Sequence, residues 1–221
     1  MGKKELALRQ EIISTCLKMN ELGVNQGTSG NVSARWKQGI LITPTGIAYD
    51  TLSPEDLVWL GFDGSQKGSL TPSSEWRFHL DITRSRDDVQ AIVHTHSNHA
   101  TALAIQSMEI PAIHYMVAVS GGPSIRVAPY ATFGTQELSD NALKALEGRT
   151  CCLLEHHGVI ATGSSVAKAL WLAVEIETIA RQYLLILSTG KTPRLLPDEE
   201  IERVLQKMKG YGLRNKSQDT P

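Results

Sequence analysis

The chemistry in this chain is most legible at His94-Thr95-His96. In an extended chain alternate side chains share a face. Two imidazoles therefore project together at the end of the apolar run Ala91-Ile92-Val93. Zinc takes neutral imidazole nitrogens, and a catalytic zinc has three protein ligands and one open position. The best candidate for the third ligand is His157, which follows the apolar run Thr150 to Leu154 and precedes Gly158, where the backbone can pass close to an ion. His156 and His157 alternate faces, so one of the pair ligates. His79, His99 and His114 read as structural or as supports for the ligands.

Three other stretches share a composition: Gly27-Thr28-Ser29-Gly30-Asn31, Thr43-Pro44-Thr45-Gly46, and Ser73-Ser74 before a helix. Tight-turn N–H groups, hydroxyls and a helix N-terminus bind anions without lysine. If the three converge they hold a phosphate; taken singly, each reads as an ordinary turn. None has the glycine spacing of a nucleotide loop. Glu75 stands at the helix start, where a carboxylate reaches both a metal and a substrate, or simply favours the first turn. Tyr115 is either a proton donor or a core residue of its strand. Tyr211, after the final glycine, either closes over a site or lies free of it.

The elements that must position these residues alternate irregularly. Helices are expected over Lys3 to Leu22, Glu75 to Arg84 with a serine N-cap, Asn98 to Gln106, Thr135 to Leu146, from Val166 onward, and from Pro197 to Gly210. Strands are expected at Val32 to Trp36, Gly39 to Thr43, Val58 to Phe62, Ala91 to His96, Ile110 to Met116, Ile125 to Ala128 and Thr150 to Ala161, interrupted at Glu155–Gly158. Several strands follow hairpin turns with no helix between them, which excludes a regular βαβ repeat. The expected fold is α/β, a mostly antiparallel sheet with helices on both faces. One domain over 1–215 and a frayed tail at 216–221 are expected.

Composition narrows the function. There are 22 basic and 23 acidic side chains, with no run of like charge, so nothing points to nucleic acid. The longest apolar segment, from Val166 to Leu187, carries Lys168, Glu175, Glu177 and Arg181, so no membrane span is expected. Three cysteines, Cys16, Cys151 and Cys152, have neither disulfide nor zinc spacing, and a cytoplasmic setting is expected.

Five motifs occur in order: Ser73-Ser74-Glu75-Trp76-Arg77-Phe78-His79, His94-Thr95-His96, Ile110 through Met116, Ala128 through Thr135, and His156-His157-Gly158. Together they resemble the class II zinc aldolases over nearly the whole chain. The resemblance implies an αβα sandwich and a C4 homotetramer with active sites at subunit interfaces. It implies one zinc per subunit on His94, His96 and His157, with Glu75 as acid/base and as a fourth ligand before substrate arrives. It gives a phosphate to Thr28, Asn31, Thr45, Gly46, Ser73 and Ser74, makes Tyr115 a proton donor to the neighbouring subunit's site, and puts Phe133 and Tyr211 at the aldehyde pocket. The implied reaction cleaves a ketose 1-phosphate, L-fuculose 1-phosphate foremost, to dihydroxyacetone phosphate and L-lactaldehyde through a zinc-stabilised enediolate. Glu155 departs from the family's pattern, which has glutamine there. Related epimerases typically carry aspartate in place of Glu75, decarboxylases and a dehydratase share the metal strand, and the adducin head shares the fold without the ligands.

Overall fold

Burial alternates along the strands, and that alternation sets the layers. The computed structural model describes residues 1–208; Tyr211 and the expected tail lie outside the described residues. In chain order the elements are α1 (Lys3–Glu21), β1 (Asn31–Arg35), β2 (Gly39–Ile42), β3 (Val58–Gly61), β4 (Gln66–Lys67), α2 (Trp76–Ser85), β5 (Ala91–Thr95), α3 (Asn98–Ile105), β6 (Ile110–Pro111), β7 (Ser124–Ile125), β8 (Val127–Ala128), α4 (Gln136–Ala145), β9 (Cys151–Leu154), β10 (Gly158–Gly163), α5 (Val166–Leu187) and α6 (Asp198–Met208).

Eight strands form one sheet in the order β4-β3-β2-β1-β5-β10-β9-β8, antiparallel throughout except that β8 runs parallel to β9. Val93, Leu153, Val159 and Ala161 face α1, α3 and α5, packing with Ile12, Leu103 and Ile176. Ile92, Cys152, Leu154 and Ile160 face the other way and pack with Phe78 and Ile82 of α2 and Leu138 and Ala142 of α4. Burying each side under helices yields the expected αβα sandwich. The three cysteines are buried in it, and burial pushes the Cys16 and Cys151 thiols up to about 12. No helix among the described residues is long and apolar enough to cross a membrane.

Three local expectations are corrected. The strand expected over 110–116 stops at Pro111, and a 3-10 helix runs over Tyr115–Ser120. Proline has no N–H to continue a ladder, and the His114 ring caps the new turn by accepting from the Met116 N–H at 3.1 Å. The segment expected as one strand over 125–128 is split at Arg126 into β7, which pairs with β6, and β8, which pairs with β9. Helix α2 begins one residue later than expected, with Glu75 itself as the N-cap residue.

Candidate metal centre

Strand β5 lies between β1 and β10, so His94 sits opposite Asn31 on one side and Ile160 on the other. Its ring shares a face with Ile92, turned towards α2, and meets the Phe78 ring edge-on. His96 follows just past the strand end. His157 comes from the turn joining β9 to β10, where His156 takes a left-handed conformation with φ 55°. That turn is closed by the His157 N–H donating to the Leu154 carbonyl at 3.0 Å. Glu75 caps α2 by position but makes no side-chain cap bond; its carboxylate is turned towards the histidines instead. At Gly158 the close approach is to a neighbouring strand: an added Cβ would lie 2.4 Å from the Thr95 carbonyl oxygen. The two strands pass too close there for any side chain.

His94, His96, His157 and Glu75 each offer one ligand atom, all within 4.8 Å of one another. The Nε2 atoms of His94 and His96 are 3.0 Å apart. Glu75 Oε2 is 3.1 Å from His94 Nε2, and Oε1 is 2.9 Å from His157 Nε2. Donors on a tetrahedral zinc, with bonds of ~2.1 Å, stand roughly 3.4 Å apart, so the spacing fits one ion. Protonation points the same way. His94 Nδ1 faces the Val159 carbonyl at 2.8 Å, which requires the hydrogen on Nδ1 and leaves a lone pair on Nε2. That lone pair faces a carboxylate and a second imidazole nitrogen. Among the described residues Glu75 Oε1 is buried without a hydrogen-bond partner; its approach to His157 is a close contact without hydrogen-bond geometry. Lone pairs converging in a buried place call for a cation.

Burial opposes ionisation of Glu75, but positive charge on the adjoining His94 and His157 outweighs it and holds the carboxyl far below the usual carboxylate range; with those rings neutral, as metal ligands must be, a bound cation would supply that charge instead. Burial, with His94 and His157 nearby, lowers His96 to about 3. A neutral imidazole and an ionised carboxylate are the forms that bind metal.

A family model described as Class II Aldolase and Adducin N-terminal domain matches residues 10–184. This chain belongs to the class II aldolase family. It is 52% identical over 207 residues to L-fuculose phosphate aldolase of Escherichia coli strain K12, covering 94% of this chain and 96% of that one. It is 50% identical over 212 residues to 5-methylthioribulose-1-phosphate/5-deoxyribulose-1-phosphate aldolase of Rhodospirillum rubrum, with 96% of each chain covered. A solved L-fuculose 1-phosphate aldolase superposes with a TM-score of 0.89 at 41% identity, over 92% of this chain and 96% of that one. As a class II aldolase this protein is an aldehyde-lyase with a three-histidine, one-glutamate metal site.

Around the aldolase metal centre lies a cavity of about 300 Å³, lined by Glu75, His96 and His157 together with Ser29, Ser74, Tyr130, Ala131, Phe133 and His156. The small polar stretches lie close to it. Turns 43–46 and 71–74 are tied by Ser73 N–H to the Thr43 carbonyl at 2.9 Å and Thr45 N–H to the Thr71 carbonyl at 3.1 Å. Ser29 and Ser74 face the cavity from two of the three stretches. Thr28, Thr45 and Gly46 are exposed, whereas Asn31 and Ser73 are buried. Asn31 donates to Glu75 Oε2 at 2.9 Å.

Phe133 lines the cavity and is 64% exposed. Tyr115 does not line it; its ring is half exposed and lies against His114. Glu155 turns away from the metal set: it accepts from the Tyr130 N–H at 2.7 Å and from the Ser107 hydroxyl, tying the β9–β10 turn to the loop that carries Tyr130 and Phe133. From sequence, Tyr130 has no individual role and His156 enters only as the alternative to His157 as a ligand. Their rings meet edge-on at 6.0 Å and form one wall of the cavity. The signal available was the Tyr130 position within the Ala128 to Thr135 motif.

Proposed function

We propose that this class II aldolase cleaves L-fuculose 1-phosphate reversibly to dihydroxyacetone phosphate and L-lactaldehyde. The observation that carries the reading is the convergence of His94, His96, His157 and Glu75 on one cavity bordered by the polar turns. The metal is zinc, one per subunit. When bound it supplies Lewis-acid polarisation of the ketose carbonyl.

The chain's own residues do the rest. Thr28, Asn31, Thr45, Gly46, Ser73 and Ser74 receive the C1 phosphate through hydroxyls, backbone N–H groups and the start of α2. That fixes C3 near Glu75. In cleavage the C4 hydroxyl gives its proton to Tyr115, the C3–C4 bond breaks, and its electron pair stays on the C3 side. Glu75, first protonated from solvent, delivers that proton to C3, the aldehyde leaves past Phe133, and Tyr115 returns the C4 proton to solvent. In synthesis Glu75 takes the C3 proton and Tyr115 protonates the new C4 oxygen. Tyr115 acts in the site of a neighbouring subunit of a C4 tetramer, which accords with its exposed ring. Tyr211, outside the described residues, closes the aldehyde side. The setting is cytoplasmic, and residues 1–215 act as one domain.

A second reading, with 5-deoxyribulose 1-phosphate or its 5-methylthio analogue as the ketose, is favoured by the 50% identity to the Rhodospirillum rubrum enzyme. Both share every residue role above and differ in the aldehyde. A panel of ketose 1-phosphates and 5-phosphates, with products identified, tests the proposal. The highest kcat/KM on L-fuculose 1-phosphate is expected. A higher value on 5-deoxyribulose 1-phosphate selects the second reading, and epimerised 5-phosphate without aldehyde sinks both.

A further inference from the structure

A line of buried polar groups runs inward from Glu75 where a sandwich of this kind normally has apolar core. Asn31 and Ser33 lie two apart on β1 and share the face turned to α2. Glu75 and His79 lie four apart at the start of α2 and share the face turned to β1. Between them, Asn31 Nδ2 is 2.9 Å from Glu75 Oε2, Asn31 Oδ1 is 2.5 Å from His79 Nε2, and Ser33 Oγ is 2.7 Å from His79 Nδ1. Ser33 and His79 are fully buried, and Asn31 and Glu75 nearly so. Polar groups in such a place cost stability unless every one is satisfied.

Donor and acceptor chemistry gives the line a single direction. An ionised carboxylate only accepts, so Asn31 must present its NH₂ to Glu75. Its carbonyl oxygen then faces His79, which must carry its hydrogen on Nε2. His79 Nδ1 is thereby an acceptor, and Ser33 must donate to it. No link can be reversed alone.

We propose that Ser33, His79 and Asn31 form a one-way hydrogen-bond relay that fixes the Glu75 carboxylate, making His79 a positioning residue for the proton transfer at C3. The inference rests on the acid/base role proposed for Glu75. The relay holds Oε2, leaving Oε1, which makes no hydrogen bond among the described residues, for the proton transfer. Asn31 retains a second amide N–H for the substrate phosphate, so phosphate binding and the orientation of Glu75 meet in one side chain.

The test has two arms. In the first, ¹⁵N-imidazole resonances of the zinc-loaded enzyme are recorded at neutral pH, with His79 assigned by its loss in His79→Gln. A neutral ring with hydrogen on Nε2 is expected, its Nδ1 resonance shifting in Ser33→Ala. An Nδ1–H tautomer or a charged ring overturns the relay, whatever substrate the enzyme takes. In the second, exchange of the C3 hydrogen of dihydroxyacetone phosphate is followed with excess zinc. His79→Phe keeps the ring stacked on Phe78 but has no donor; it should lower kcat by about 100-fold with KM unchanged. His79→Gln, which can still donate to Asn31, should lose less than about tenfold. Equal losses in the two variants, or a loss carried by KM, overturn the positioning role. Should His79→Phe not fold, Ser33→Ala, which removes the donor to His79 Nδ1 and touches no proposed substrate group, is read in its place: a loss in kcat at unchanged KM is expected, and an unchanged kcat overturns the positioning role. Wild-type protein without any exchange would instead refute the aldolase reading, with the tautomer arm still deciding the relay.

Discussion

Replacing Gly158 by alanine probes how tightly β5 and β10 are locked around the metal donors. An added Cβ would stand 2.4 Å from the Thr95 carbonyl oxygen and 2.9 Å from His96 Cδ2. Real Cβ atoms essentially never come within 3.0 Å of such neighbours, and ordinary contact begins at 3.4 Å. Thr95 is paired with Val159 of β10 and directly follows His94, which is paired on both sides, so its carbonyl cannot retreat alone, and His96 is the next residue. Metal and catalytic groups must hold their places to within about 0.5 Å; the Thr95 carbonyl would have to move by roughly 0.6–1.0 Å to reach 3.0–3.4 Å and would carry His96 with it. Overpacking of this kind costs about 1–3 kcal/mol, and each kcal/mol lowers Tm by roughly 2–4 °C in a chain of this size. Displacing His96 should weaken zinc binding by about 10–100-fold. Gly163→Ala is the control. It lies at the other end of β10, and its Cβ would meet the Ala169 nitrogen at 2.4 Å and the Ser165 oxygen at 2.8 Å. It should lower Tm comparably and leave zinc affinity intact. Competition against a chromophoric chelator reads affinity, and calorimetry at fixed protein concentration reads Tm. Zinc bound by Gly158→Ala as tightly as by wild type would refute the reasoning, as would equal weakening in Gly163→Ala.

Glu75→Gln should lower C3 hydrogen exchange by about 10²–10⁴-fold while dihydroxyacetone phosphate still binds; undiminished exchange removes Glu75 as the acid/base. If Tyr115 serves a neighbouring subunit, mixing dissociated Glu75→Gln and Tyr115→Phe chains and reassembling them should restore activity above either parent. No recovery would place both groups in one chain's site. Burial lowers His79 from 6.5 to about 3, so below pH 6.5 the unfolded chain binds a proton that the folded chain refuses. Stability is therefore full above pH 6.5 and falls towards pH 3, by up to ~1.4 kcal/mol per pH unit. Urea unfolding at pH 6.5 and 5.0 with chelator present should show this slope reduced in His79→Gln; an identical slope refutes it. His156→Ala opens the wall shared with Tyr130 and should raise the kcat/KM ratio for the methylthio ketose over L-fuculose 1-phosphate by about tenfold, measured by competing the two substrates.

The sequence alone settled the ligand strand, because the two-residue period of an extended chain puts His94 and His96 on one face wherever the strand lies. It settled the layered mixture of strands and helices, because hairpin turns and helical periodicity are local. It also supplied the order of motifs that marks the family. Long-range register lay beyond it. Asn31 carries no mark of facing Glu75 across 44 residues of chain; β1 had to pair with β5, and α2 had to lie over both. The same pairing made Gly158 a point of close strand approach, where the sequence pointed only to a close pass of the backbone to an ion. Tyr115 left its expected strand because Pro111 ended the ladder and the His114 ring started a new turn. Periodicity fixes which way a side chain leaves the backbone. Which other side chain it meets depends on sheet pairing and helix packing, and in this protein those contacts turn four separated residues into one metal site.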